Sequence, residues 1–118
     1  MERLEGVLIA GAGPVALVTA LVLARSGVPV TLLEGEPQII PSPRAIVYHA
    51  PTVAVLDRLG VLSDALEVGM LKQDYQYRQA DGRIVARMDM SVVAPDTAYP
   101  FNLHLGQDML AEIILKHL

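Results

Sequence analysis

Three small residues near the N-terminus, Gly11, Gly13 and Ala16, form the pattern with the most chemical content. An acidic residue, Glu34, lies 23 residues after the first glycine. In such a pattern the first glycine permits a sharp turn, the second lets a ligand approach the main chain, and the small third residue lets a helix pack closely on a strand. Backbone N–H groups at the start of that helix favour negative charge. The spacing therefore predicts a pyrophosphate site.

Glu34 extends this site, since its carboxylate can accept hydrogen bonds from both hydroxyls of a ribose. A ribose carrying a 2′-phosphate would be repelled there, so the pocket disfavours NADP. Taken singly, each residue also fits an ordinary strand-to-helix turn or a solvated strand end, but the whole set at this spacing favours a dinucleotide site. The candidate cofactor-binding residues here are Gly11, Ala12, Gly13, Pro14, Val15, Ala16 and Glu34.

The elements that would position these residues are a strand, a glycine turn, a helix and a second strand. Val7 to Ala10 is a short apolar run, typical of a strand buried on both faces of a parallel sheet. Pro14 suits the first turn of the helix, and Gly27 suits its end because a left-handed residue is cheap there. Val28 to Leu33 then gives a second, β-branched strand.

Composition excludes several other classes of protein. The net charge of −4 and the lack of Trp argue against a nucleic-acid partner. No cysteine is present, which rules out disulfides and thiolate chemistry and fits a cytoplasmic location. The three histidines match no metal spacing and are interpreted as ordinary surface or helix-end residues. The mean hydropathy of +0.42 suggests apolar surface meant for self-association or for a complementary chain.

Gly6 to Ala24 contains no charge and is long enough to raise the possibility of a membrane segment. Glycines and a proline would interrupt a spanning helix at its middle, and the first five residues carry more acid than base, unlike a signal peptide. We therefore expect no membrane association.

The rest of the chain alternates between helices and extended segments. A proline-rich loop precedes two short helices, and a β-hairpin with a type I′ turn at Asp81-Gly82 follows them. A second connection leads to a last helix from Gln107, with Leu110, Ile113, Ile114 and Leu118 on one face. The predicted ranges are loop 35–44, helices 51–59 and 61–68, hairpin 73–90 and connection 91–102.

Several of these segments resemble the start of the FAD-dependent aromatic hydroxylases, the single-component flavoprotein monooxygenases. The resemblance rests on GAGPVAL at the glycine turn, LLE at the second strand and the PRA of residues 43–45. It implies an α/β, Rossmann-like βαβ fold that binds FAD or NAD(P), with an added β-hairpin. It further implies that Arg44 lies against the FAD ribose and phosphates, and that Gln107 touches FAD from the start of the last helix.

The same resemblance implies a reaction in which NAD(P)H reduces FAD, O2 reacts with the reduced flavin, and a phenolic substrate accepts one oxygen atom. We identify no catalytic acid or base and no metal ligand in this chain. The family's later Gly-Asp dipeptide is absent. Residues 1–118 are therefore expected to be the N-terminal part of an FAD-binding domain, inactive alone, with the substrate domain and remaining FAD-binding segments missing.

Two alternatives stay open. The βαβ unit could belong to an NAD-dependent or other flavin oxidoreductase, in which case NAD would bind without flavin. It could also serve as a non-catalytic binding or assembly module, in which case the chain would take up no FAD but form a defined oligomer.

Overall fold

The computed structural model describes residues 5–118, so four of the five N-terminal residues whose charges argue against a signal peptide, residues 1–4, lie outside it. In chain order the elements are β1 (Val7–Ala10), α1 (Pro14–Arg25), β2 (Val30–Leu33), β3 (Val47–Tyr48), α2 (Ala50–Arg58), α3 (Leu62–Val68), β4 (Met70–Lys72), β5 (Asp74–Arg78), β6 (Ile84–Asp89), β7 (Asn102–His104) and α4 (Gln107–His117). A 3-10 turn, Met90–Val93, follows β6.

The predicted βαβ unit is confirmed. Strands β1 and β2 pair in parallel, from Val7 opposite Val30 to Ala10 opposite Leu33. Helix α1 crosses between them, with Pro14 at its first turn. Gly27, at φ +74°, has the left-handed conformation that ends a helix at low cost.

The prediction that β1 is buried on both faces is wrong for the part of the chain that the structure describes. Val7 is 38% exposed and Leu8 is 52% exposed. Within residues 5–118, β1 has only β2 as a strand partner. A fully buried parallel strand needs further strands or helices on its open face, and those are not supplied by this range.

A second sheet was not predicted. It has the order β3-β7-β4, and both pairings are antiparallel. The three strands contain only two or three residues each. Such short segments show no detectable alternation of apolar and polar residues, so their pairing depends on tertiary packing.

The core lies where α1, α2, α3 and α4 meet the β7 strand. Its largest fully buried side chains are Leu17, Leu21, Leu56, Leu103, Leu105, Ile114, Val53 and Val61. Three of the predicted apolar positions of α4, Leu110, Ile113 and Ile114, are buried as expected. Leu118 is 52% exposed and does not share that face, because α4 ends one residue earlier, at His117. Ala111 is buried in its place.

The predicted hairpin is present as β5 and β6, with Tyr75 opposite Met88 and Tyr77 opposite Ala86. Its turn is not type I′, which requires two residues with positive φ. Gly82 has φ +87°, whereas Asp81 is not among the residues with positive φ. The Gly82 N–H donates to Gln79 O at 2.9 Å, so the loop is a three-residue turn with glycine in the left-handed position.

No helix within residues 5–118 is long and apolar enough to cross a membrane.

Candidate cofactor site

A cleft of about 460 Å³ lies between the glycine turn, the end of β2, the loop after β2 and the start of α4. It brings together Ala12, Gly13, Pro14, Glu34, Arg44 and Gln107 from the predicted set. Gly11, Val15 and Ala16 do not line it. The cleft is also lined by Leu32, Glu36, Pro37, Gln38, Ile39, Ile40, Ser42, Asp108, Ala111 and Leu115.

The glycine turn presents its backbone to the cleft. Gly11 has φ +97°, and its N–H donates to Leu33 O at 2.6 Å, so it turns the chain sharply after β1. Gly13 has an ordinary extended backbone at φ −69°, and a Cβ added there would meet no atom of residues 5–118 within 4 Å. Neither the backbone conformation at position 13 nor the packing around it therefore requires a glycine. The open space in front of Gly13 is what a ligand approaching the main chain would need.

Helix α1 begins without any anionic group of its own. Within the described part of the chain, no side chain caps its first N–H groups, and its first turn contains no acidic residue. Those N–H groups lack intrahelical partners, and the helix dipole makes this end electropositive. The start of α1 is thus suited to an external anion such as phosphate.

Helix α4 differs at its start. Asp108 lies in its first turn, and the Asp108 Oδ1 accepts a hydrogen bond from the Met109 N–H at 3.0 Å. This helix end therefore has its own carboxylate. Of the two helix starts that line the cleft, the start of α1 is the one suited to an anion.

Glu34 lies just after β2, and its carboxylate contacts the glycine turn. Its Oε2 accepts from the Ala12 N–H at 2.6 Å and its Oε1 accepts from the Glu36 N–H at 2.9 Å. The backbone hydrogen bonds from Glu36, Ala12 and Gly35 lower the pKa of the Glu34 carboxyl below its ordinary value. The carboxylate is therefore ionised at neutral pH, and its remaining lone pairs can accept from hydroxyl groups.

Arg44 and Gln107 reach the cleft from two segments far apart in the sequence. Arg44 is exposed on the loop after β2, and Gln107 is partly buried at the start of α4. A guanidinium can bind phosphate oxygens with two parallel hydrogen bonds, and an amide can both donate and accept. The two side chains thus add a cation and a neutral polar group to a cleft that also holds Glu34, Glu36 and Asp108.

Sequence reasoning missed two features of the cleft. The first is an apolar wall from Leu32, Ile39 and Leu115, which suits a flat ring. The second is the contact that Asp108 makes with the loop after β2. The Asp108 Oδ2 accepts from the Ser42 N–H at 3.0 Å, across 66 residues of chain. No local pattern indicates a contact over that separation.

The histidines do not line this cleft. His117 lies at the end of α4, as predicted. The Nδ1 of His49 lies 2.9 Å from Asn102 Oδ1, and the Nε2 of His104 lies 3.4 Å from the Tyr75 hydroxyl. His49 is exposed at the residue before α2, as predicted, whereas His104 is half-buried in β7. Among residues 5–118 no cluster of three or more His, Cys, Asp or Glu side chains is placed to hold a metal ion.

A family model described as "FAD binding domain" matches residues 5–118. Among curated proteins, the chain is 47% identical over 118 residues to para-nitrophenol 4-monooxygenase of Pseudomonas sp. (strain WBC-3). It is 43% identical over 118 residues to 6-hydroxy-3-succinoylpyridine 3-monooxygenase of Pseudomonas putida. Both alignments cover 100% of this chain, but 29% of the first relative and 30% of the second.

Solved structures agree with these relatives. The p-nitrophenol 4-monooxygenase of Pseudomonas putida DLL-E4 matches with a TM-score of 0.93 at 45% identity, over 99% of this chain and 30% of that one. Aklavinone-11 hydroxylase, in a ternary complex with FAD and aklavinone, matches with a TM-score of 0.77 at 27% identity, over 99% of this chain and 24% of that one. The predicted α/β fold and the predicted resemblance are both confirmed. The chain spans about 30% of the length of the curated relatives above.

Proposed function

Because this chain belongs to the FAD binding domain family, we propose that it forms the part of the cofactor site that holds the adenosine diphosphate half of FAD. The observation that carries this proposal is the cleft in which an open glycine, an uncapped helix start and an ionised carboxylate meet. These are the groups that a pyrophosphate and a ribose require. In this assignment residues 1–118 are the N-terminal part of an FAD-binding domain.

Each predicted site residue has a role in this proposal. The pyrophosphate lies across Gly13 and the start of α1, where Val15 and Ala16 supply first-turn N–H groups. Glu34 accepts from the ribose hydroxyls, and Arg44 binds phosphate or ribose oxygens from the opposite side. The remaining members act through shape or polarity: Gly11 sets the turn, Ala12 holds Glu34, Pro14 starts the helix and Gln107 contacts the cofactor.

For the longer protein we propose an FAD-dependent monooxygenase that hydroxylates a small phenolic compound with NAD(P)H and O2. The names of the relatives support this class of reaction. The flavin supplies the redox and oxygen chemistry when bound. The residues described here bind and orient the cofactor, and we assign none of them as a catalytic acid or base. The absence of cysteine from the chain is compatible with a cytoplasmic location.

We also propose that the apolar surface of the hairpin is a contact surface, either for a second copy of the chain or for a complementary chain. Strand β6 is exposed along its whole length. The large exposed apolar side chains of the hairpin include Ile84 and Met88 on β6 and Tyr77 on its partner strand, β5. An apolar surface of this kind is typical of a protein contact.

The experiment that tests cofactor binding is a titration of the 118-residue chain with FAD, followed by flavin absorption and fluorescence. We expect Gly13→Val to weaken FAD binding more than tenfold, because the new side chain fills the space that the pyrophosphate needs. The variant should fold, since Gly13 has an ordinary φ and open space beside it. A control is Ala24→Val, which introduces the same side chain at an exposed position of α1.

Equal FAD affinity in Gly13→Val and the unmodified chain would contradict the site. Uptake of NAD without FAD would favour the alternative of a nicotinamide-dependent oxidoreductase. A folded chain that takes up neither cofactor but forms a defined oligomer would favour the non-catalytic module.

A further inference from the structure

Residues 42–46, which we call the arginine turn, include Arg44. A hydrogen bond at each end of this turn joins it to a distant part of the chain. The Ser42 N–H donates to Asp108 Oδ2 at 3.0 Å. At the other end, the Leu105 N–H donates to Ile46 O at 2.9 Å. Both partners lie at or just before the start of α4. The arginine turn is therefore held against the segment that leads into α4 rather than projecting freely into solvent.

The backbone inside the arginine turn is strained. Ala45 has φ +51° and is the only non-glycine residue with positive φ in the described range. This conformation costs an alanine roughly 1 kcal/mol, and such a residue persists where its surroundings hold it. Since Ala45 follows Arg44 directly, the strained residue is the immediate neighbour of the arginine.

Gly106 shows how closely the arginine turn approaches α4. Its φ of −61° is ordinary, so its backbone does not require glycine. A Cβ added at Gly106 would collide with the Asp108 carboxylate and would lie 3.3 Å from the Pro43 Cα. Glycine is needed here for space, because it lets the arginine turn lie directly on the start of α4.

Asp108 is an unexpected residue beside a phosphate site, since its charge would repel an anion. Both of its oxygens already have donors on the protein: Ser42 N–H for one and Met109 N–H for the other. These bonds direct the carboxylate at the backbone of the arginine turn. The position of Asp108 is thus explained by its hydrogen bond to the arginine turn rather than by contact with a ligand.

We propose that Asp108 is a positioning residue for the cofactor: it holds the arginine turn on Gly106 so that Arg44 reaches the phosphates of FAD. Asp108 acts through Arg44 and does not itself contact the cofactor. This inference rests on the proposed function of the cleft as an FAD site, and it adds a residue whose identity no motif predicted.

A double-mutant cycle in FAD affinity tests the proposal. We expect Asp108→Ala to weaken binding by roughly tenfold, about the size of one lost charge-assisted contact. In an Arg44→Ala background the same substitution should cost almost nothing further, because the residue through which it acts is gone. Asp108→Asn should recover most of the affinity, since its amide oxygen can still accept from the Ser42 N–H. Gly106→Ala should resemble Asp108→Ala.

The matched control is Glu112→Ala, which removes an exposed carboxylate from the same helix and should leave FAD affinity unchanged. Equal, additive losses from Asp108→Ala with and without Arg44 would overturn the proposal, because they would mean that Asp108 acts independently of Arg44. Unchanged affinity in Asp108→Ala would overturn it as well.

Hydrogen exchange without FAD separates this proposal from the proposed function. In Asp108→Ala the amides of Ser42 and of residues 44–46 should exchange faster, while those of α1 should be unchanged. If exchange in residues 42–46 does not change, the attachment itself is wrong, whatever the chain binds. If that exchange rises but the unmodified chain takes up no FAD, the attachment stands, and both the FAD site and the role of Asp108 in it are overturned.

Discussion

At the scale of single residues, Glu34 shows how backbone groups prepare a carboxylate for ligand binding. Two N–H groups, from Ala12 and Glu36, donate to its two oxygens. They hold the side chain toward the glycine turn, and no cationic side chain within residues 5–118 forms an ion pair with it. A carboxylate that is already oriented loses less conformational entropy when a ribose binds.

The pH dependence of FAD binding should follow Glu34. Its folded pKa lies below the ordinary 4.5 because of the backbone hydrogen bonds. The contribution of the Glu34 carboxylate to FAD binding is therefore complete above pH 4.5 and is lost only as the pH falls through the lowered pKa. We expect the Kd for FAD to be flat from pH 8 to 5 and to rise below that range.

Glu34→Gln is the comparison for this titration. Its neutral amide should bind FAD about tenfold more weakly at pH 7, because the charge-assisted hydrogen bonds are lost. The affinity of this variant should also lack the acid-dependent decrease. If both proteins show the same affinity and the same pH profile, Glu34 does not contact the ribose.

At the scale of elements, the cleft depends on the packing of α1 against α4. Leu17 and Leu21 of α1 and Ile114 of α4 are completely buried in one core. This packing sets the distance between the start of α1, which would bind phosphate, and the start of α4, which carries Gln107.

Leu21→Ala should therefore lower the free energy of unfolding by about 2–5 kcal/mol, since it leaves a cavity between the two helices. Chemical denaturation measures this change. Leu118→Ala is the matched control: Leu118 is 52% exposed, so its truncation should change stability by no more than about 0.5 kcal/mol. Similar losses in the two variants would contradict the core assignment.

The far ends of the same helices are joined by a polar contact. The His117 Nε2 lies 2.7 Å from Asp64 Oδ2, and the Arg25 guanidinium lies 3.4 Å from His117 Nδ1. Arg25 also donates to the Leu59 carbonyl oxygen. This contact links α1, α3 and α4 at the end opposite the cleft.

The hydrogen bond from His117 is the largest cause that lowers the pKa of Asp64 below its ordinary 3.8. The contribution of this hydrogen bond to folding stability is therefore present above pH 3.8 and is lost as the pH falls through the lowered pKa of Asp64. We expect His117→Ala to lower the Tm slightly at pH 5, with the difference from the unmodified chain vanishing toward pH 2. Glu67→Ala, an exposed acid on α3, should not show this convergence.

At the scale of the whole molecule, the described chain is elongated, with extents of 67 × 32 × 19 Å. Apolar side chains remain exposed on β1 and on the hairpin, as Leu8 and Met88 show. In a chain that covers about 30% of its relatives, such surface is where a further segment or a partner would pack.

Ile84→Glu combined with Met88→Glu tests the hairpin surface. Both side chains are about half exposed, at 46% and 47%, so the Tm should hardly change. We expect the variant to remain monomeric at concentrations where the unmodified chain associates, as measured by sedimentation velocity. Arg87→Gln, on the charged face of β6, is the control. A chain that is monomeric at every concentration would show that the hairpin does not mediate self-association.

The sequence by itself determined the βαβ unit, its glycine turn and the place of Glu34. These features are local: they depend on the φ preference of glycines such as Gly11 and Gly27, on a proline at a helix start and on short apolar runs. The family resemblance also assigned Arg44 and Gln107 to the cofactor, and their roles remain predictions.

The tertiary structure decided everything that joins distant parts of the chain. It brought Arg44 and Gln107 to one cleft, attached Asp108 to Ser42 and paired β7 with β3 and β4. It also left β1 exposed and gave the Asp81-Gly82 turn a different geometry from the one predicted. The physical reason is that these outcomes depend on which surfaces pack together, and a short strand or a loop carries no periodic signal of its eventual partner.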